Sequence, residues 1–169
     1  RNSLTMKRLF SLLLLFISLN SFAQILILGK NNQLDRMIRN SIESYIENVD
    51  EFCTKRGLTP PGVYYVCKEG LTTSFTRNDS IRSIPRVKYV SLDNYDSRSL
   101  KKMLKKGFGA MFVETKLHKN QIIIAVSDCS VSNYKGFPAV GIKDWGIYTY
   151  EYSEDKEDWV LVKSEIGGI

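Results

Sequence analysis

The residues able to do chemistry are few and scattered. His118 is the only imidazole, Cys53, Cys67 and Cys129 are the thiols, and Asp93, Asp96, Asp128 and Asp144 fall at expected strand ends or loops. Tyr148, Tyr150 and Tyr152 recur at period two, with Trp145 just before them and Trp159 beyond. A Cys–His pair makes a nucleophile only within hydrogen-bond reach. Alternation of apolar residues folds the chain into a hairpin about Lys119-Asn120, which pairs Leu117 with Ile122, Thr115 with Ile124 and Val113 with Val126. His118 then sits at the turn and Cys129 far along the strand near Ala110, many times that reach apart.

Among the carboxylates, Asp128 is the one candidate acid. The register places it on the face of Ile124 and Val126, opposite Met111, where burial would raise its pKa. The run Asp93-Asn94-Tyr95-Asp96 lacks the glycine and distal glutamate of a calcium loop and reads as a helix-capping turn. One histidine and no paired cysteine spacing argue against a metal site. An odd cysteine count leaves a thiol over, and the three read as small buried residues, Cys53–Cys67 being the most plausible bridge. Nucleotide-loop, serine-hydrolase and zinc-protease motifs are absent, so no cofactor is expected.

The tyrosine stripe reads as a core face, because the opposite side of that strand holds Ile147, Thr149, Glu151 and Ser153. Residues 132–144 show no apolar periodicity and read as a long irregular loop. Such loops are often functional, so Tyr134 and Phe137, beside Trp145, are the candidate residues for binding a ligand or partner.

These residues need a frame. From Asn32 to Arg56, apolar residues recur at three- and four-residue steps from Leu34 to Cys53, a single helical stripe. Asn31 or Asn32 can cap this helix, and Gly57 followed by Pro60-Pro61 ends it. Strands are expected at 63–67 and 87–92, with a turn at 77–80 in the polar stretch between them. A short helix follows, capped by Asp96 or Ser97 and stopped at Gly107. Leu100, Met103 and Leu104 point inward, and Lys101, Lys102, Lys105 and Lys106 form a solvated face. The first hairpin and a last one, 147–153 with 158–166, complete four antiparallel strands.

The N-terminal end is of another kind. Met6-Lys7-Arg8, an apolar run from Leu9 to Leu19 and the small-residue pattern Ser21-Phe22-Ala23 are the parts of a secretory signal in order. The apolar run is shorter than the roughly 20 residues that span a bilayer. Residues 1–5 read as an upstream extension, 6–23 as the signal, and 24–169 as a single domain. Removing Arg1, Lys7 and Arg8 takes the formal charge from +6 to +3, so the basicity gives no support to nucleic-acid binding. The mature chain is expected in the periplasm or beyond, with no membrane span.

The fold class is α+β: a long N-terminal helix on a mainly antiparallel, curved sheet, with a second short helix and both helices on one face. In topology the chain resembles the NTF2-like and cystatin-like folds, and in build it resembles small exported bacterial proteins; neither resemblance carries residues across. The first functional reading is a non-enzymatic binding domain for a protein or small ligand. The second is a small enzyme with a pocket between helix and sheet, its acid or base drawn from Asp128 or a tyrosine; the third is an inhibitor or immunity-type protein. N-terminal sequencing of exported protein is expected to find Gln24 first, and an intact Met6 on membrane-bound protein would contradict the signal.

Overall fold

A computed structural model describes residues 33–71, 75, 83–93 and 97–168. The signal region, the cap at Asn31 or Asn32, the turn at 77–80 and most of the Asp93–Asp96 turn lie outside the described residues. Residues 35–169 cluster as one compact unit; of the other, 1–34, only Gln33 and Leu34 are described.

Helix α1 spans Gln33–Lys55. Its end is set by Gly57 in the left-handed region (φ 70°), with the Leu58 N–H donating to the Cys53 carbonyl at 2.8 Å and the Gly57 N–H to that of Thr54 at 3.0 Å. This is the paired-bond helix stop that glycine makes without steric penalty. Strands β1 (Tyr64–Cys67) and β2 (Val87–Val90) follow, then helix α2 (Arg98–Lys106) and strands β3 (Phe108–His118), β4 (Gln121–Tyr134), β5 (Phe137–Ser153) and β6 (Asp158–Gly167). Ser97 caps α2, accepting from the Leu100 N–H, and Gly107 ends it. The six strands form one open sheet in the order β2-β1-β3-β4-β5-β6, with β1 parallel to both its neighbours and the other pairs antiparallel.

The β3–β4 register is the expected one, with Leu117 opposite Ile122, Thr115 opposite Ile124 and Val113 opposite Val126. Two expectations fail. Residues 132–144 are not an irregular loop. They continue β4 and begin β5, closing in a two-residue turn at Lys135-Gly136, both with positive φ. That turn geometry matches the twist of a hairpin. The Asn133 side chain braces it by accepting from the Gly136 N–H at 2.9 Å.

The second correction concerns the helices, which lie on opposite faces of the sheet. Residues paired across strands share a face. Val66, Met111, Val113, Val126, Ile124, Ile122, Tyr148 and Tyr150 are therefore on one face, here the first. Helix α1 covers it: Ser41 Oγ lies 3.0 Å from the Tyr150 hydroxyl, which in turn donates to the Met37 carbonyl. Gly146 leaves room for Tyr45, since a Cβ there would stand 2.9 Å from its ring. The second face carries Cys67, Ala110 and Val131, which form a separate core with Leu100 and Leu104 of α2. A β2–α2–β3 crossover over β1 needs its helix on one face, and α1 already fills the other.

Polar clamps fix the frame. Asp50 of α1 receives the Arg86 guanidinium and the Tyr64 hydroxyl, the latter at 2.7 Å. The arginine, helped by the phenol, holds the Asp50 carboxyl below its ordinary range. Glu69, after β1, accepts from the Ser91 hydroxyl at 2.6 Å and the Leu92 N–H at 2.8 Å. Burial opposes its ionisation, but these donors outweigh it and keep the pKa low. All three cysteines are free: Cys67 and Cys129 are buried, and Cys53 half-buried.

Met37, Ile38, Ile42, Tyr45 and Ile46 of α1 are buried, Ile42 completely; Val49 is only partly covered. Ile42→Ala is expected to cost about 2–5 kcal/mol through lost transfer energy and the cavity left. The exposed Glu47→Ala should move the melting point little, and equal shifts for the two would show that this helix face is not core.

Candidate functional site

The sequence offers two candidate regions, Asp128 and the set Tyr134, Phe137 and Trp145. Asp128 lies on the first face, opposite Met111 on one side and Asp144 on the other. The pairing slips by one residue immediately beyond, where Cys129 faces Ile142 and Lys143 is the extra residue of a bulge. Such bulges bend a strand and re-aim its side chains. Asp128 is half-buried, and burial raises its pKa; Lys143 opposes the shift and Asp144 adds to it. The buried Tyr45 hydroxyl has no hydrogen-bond partner among the described residues. Burial, then the charges of Asp128 and Asp144, push that phenol well above its ordinary pKa.

A cavity of about 520 Å³ does lie between α1 and the β5–β6 hairpin, bounded by Asn40, Ser44, Tyr148, Tyr150, Lys156 and Trp159 among others. Asp128 is not among its lining residues. Burial pushes the Tyr148 phenol up to about 12 and raises that of Tyr150. Both stay protonated at neutral pH, where they act as hydrogen-bond partners and poor bases. The candidate acid and the cavity therefore do not coincide. Among the described residues, no group of three or more His, Cys, Asp or Glu side chains could hold a metal ion. His118, at the β3–β4 turn, is exposed and far along the hairpin from Cys129.

The second set is divided by the structure. Tyr134 and Phe137 face each other across the last pair of the β4–β5 hairpin, each 62 % exposed. Trp145 is eight positions along β5 from Phe137, about 26 Å at 3.3 Å per residue. It lies on the second face, its indole packed on Gly167, where a Cβ would stand 2.3 Å from the ring. Trp145 is thus a packing residue of the sheet and leaves the set.

What joins Tyr134 and Phe137 is a group of lysines. Lys105 and Lys106, at the end of α2, and Lys135, in the turn, surround an open hollow of about 540 Å³ with Gly107, Ser132 and Asn133. Lys135 Nζ stands 5.2 Å from the centre of the Tyr134 ring, a cation–π contact. Neither 97–113 nor 129–142 contains an acidic residue, while they hold Arg98, Lys101, Lys102, Lys105, Lys106 and Lys135. The formal +6 of the chain equals the charge of these two segments alone. The lysines of α2 were legible as a solvated face. Their union with the aromatic tip required the hairpin that the sequence reading treats as a loop.

Because Asp128 has a raised pKa in the folded state, the fold binds its proton more tightly than the unfolded chain does. Its ionisation therefore costs stability, a cost absent below the unfolded pKa and complete above the folded one. Asp128→Asn is expected to melt higher than the native protein at pH 7, by a margin that vanishes on acidification to about pH 3. Thermal melts across that range check the sign.

No protein-family model matches the chain, and no curated protein matches it. A solved structure similar to it is that of a proposed ketosteroid isomerase from Shewanella frigidimarina, at 10 % identity and a TM-score of 0.28, covering 77 % of this chain and 91 % of that one. A likeness of that degree assigns neither residues nor activity to this chain.

Proposed function

We propose that the protein is an exported binding domain whose working surface is the end formed by the β4–β5 hairpin tip and helix α2. The observation that carries this reading is the grouping at one end of the molecule of two exposed aromatics, Tyr134 and Phe137, and a hollow lined by Lys105, Lys106 and Lys135. Exposed aromatic side chains contribute contact area at small entropic cost, and a cluster of cations free of acids selects an anionic partner. The enzyme reading has less support, because its acid and its cavity are separate and the cavity tyrosines are poor bases. The export assignment rests on the tripartite leader.

Retention on a phosphate-bearing cation exchanger tests the surface. Each lysine near an anionic surface contributes about 1 kcal/mol. Lys105→Ser, Lys106→Ser and Lys135→Ser together should weaken binding by more than about a hundredfold and bring elution to much lower salt. Lys55→Ser, Lys88→Ser and Lys163→Ser remove the same formal charge from exposed positions elsewhere, and should shift elution far less. Equal shifts for the two triples would refute the assignment.

A further inference from the structure

Strand β3 stays paired with β4 as far as Val131, so only residues 132–139 of the β4–β5 hairpin project beyond the rest of the sheet. Strand β6 begins to pair with β5 only at Trp145, so residues 137–144 have β4 as their one partner. The distribution of apolar side chains on this arm is unusual. Tyr134 and Phe137 are on the first face; Val140 and Ile142, paired with Val131 and Cys129, are on the second. All four are open to solvent, Val140 by 48 % and Ile142 by 70 %. None of the residues between them is acidic, and apart from Val131, Lys135 and Pro138 they are short: Ser130, Ser132, Asn133, Gly136, Ala139 and Gly141.

A two-stranded arm in water should place its apolar residues on one face at most, against a core. Here the two-stranded tip carries them on the first face, and the root beside β3, with Val140 and Ile142, carries them on the second. A protein partner docked on one face would leave the other uncovered. A medium that surrounds the arm covers both together, and the interfacial zone of a bilayer is such a medium. Aromatic side chains concentrate at that level, and lysines alongside extend to the phosphates while their stems cover apolar surface. The free backbone edge of β5 limits the depth. Unpaired N–H and C=O groups are tolerated among headgroups and not in hydrocarbon. The cations of the hollow beside the tip are lysines, point charges suited to a lipid surface, rather than the planar guanidinium groups that read nucleic acid.

We propose that the β4–β5 arm inserts its tip, Tyr134 and Phe137 with Val140 and Ile142, into the headgroup layer of an anionic lipid bilayer, held there by Lys105, Lys106 and Lys135. The proposal rests on the reading of this end as the binding surface and names its partner. The contact is peripheral and reversible. Among the described residues no helix is long and apolar enough to cross a membrane.

Co-sedimentation of residues 24–169 with vesicles tests it, using phosphatidylcholine alone, phosphatidylcholine mixed with phosphatidylglycerol, and polyphosphate as a soluble competitor of like charge. Binding is expected only to the mixed vesicles and should fall as salt is raised. Tyr134→Ser with Phe137→Ser should reduce vesicle binding at least tenfold, whereas Lys55→Ser, Lys88→Ser and Lys163→Ser together should leave vesicle binding and exchanger retention nearly unchanged. The Lys105, Lys106 and Lys135 triple should lose both. Phe137→Trp adds a reporter whose emission should shift to the blue with mixed vesicles and not with polyphosphate. Melting curves check that these exposed substitutions leave the fold intact. No sedimentation of the native protein, or a serine pair that sediments equally well, would overturn the membrane assignment. So would a reporter that responds alike to polyphosphate. Retention on the exchanger that still depends on Lys105, Lys106 and Lys135 would in those cases preserve the binding surface itself.

Discussion

The apolar residues of β4 change sides at Asp128–Cys129, and the rest of the structure follows from that change. Ile122, Ile124 and Val126 are buried on the first face of the sheet, Cys129 and Val131 on the second. A strand with one apolar phase needs one covering layer; a strand with two needs a cover on each side, offset along its length. Helix α1 provides the first and α2 the second. The extra residue at Lys143 lies where the phases meet, letting β5 follow the turn of its neighbour. Asp128 stands at that junction, where neither core fully closes over it. Its raised pKa is a consequence of the junction and needs no catalytic purpose.

The placement of α2 also explains how one end becomes cationic. An amphipathic helix that buries Leu100 and Leu104 must display its remaining positions, which are mostly lysine. Laid against Val131, it brings those lysines beside the last residues of β4. The stop at Gly107 then sets Lys105 and Lys106 level with the hairpin turn. Within residues 24–169, formally +3, Arg98, the four lysines of α2 and Lys135 carry +6 and the remainder −3, so the positive field is set by where this helix packs.

Much of this frame was legible beforehand. The β3–β4 register followed from matching two alternating runs, because a slip of one residue would turn every isoleucine of β4 to the wrong face. The limits of α1 followed from its stripe and from Gly57. The arm was not legible for the same physical reason reversed. Between Ser132 and Ile142 no face is buried under a core, so no period of two is imprinted, and Lys-Gly is a less familiar hairpin turn than Asn-Gly. The parallel pairing of β1 with β2 and β3 was equally hidden, since it depends on crossovers that contribute no local pattern. The opposed helices had a signal, the jump from Ile122-Ile124-Val126 to Cys129-Val131. Asp128 lies on the face that its register foretold, and Trp145 lies apart from Tyr134 and Phe137. Nearness in sequence to Tyr134 and Phe137 becomes distance once the strand between them is extended.

The two indoles end up in different worlds. Trp145 rests on Gly167 on the second face of the sheet, while Trp159 meets Tyr152 edge-on at 5.8 Å and borders the cavity under α1 on the first. The molecule thus has one native tryptophan on each side of a single sheet. Single-tryptophan versions would resolve whether its two layers dissolve together on heating or come apart in sequence.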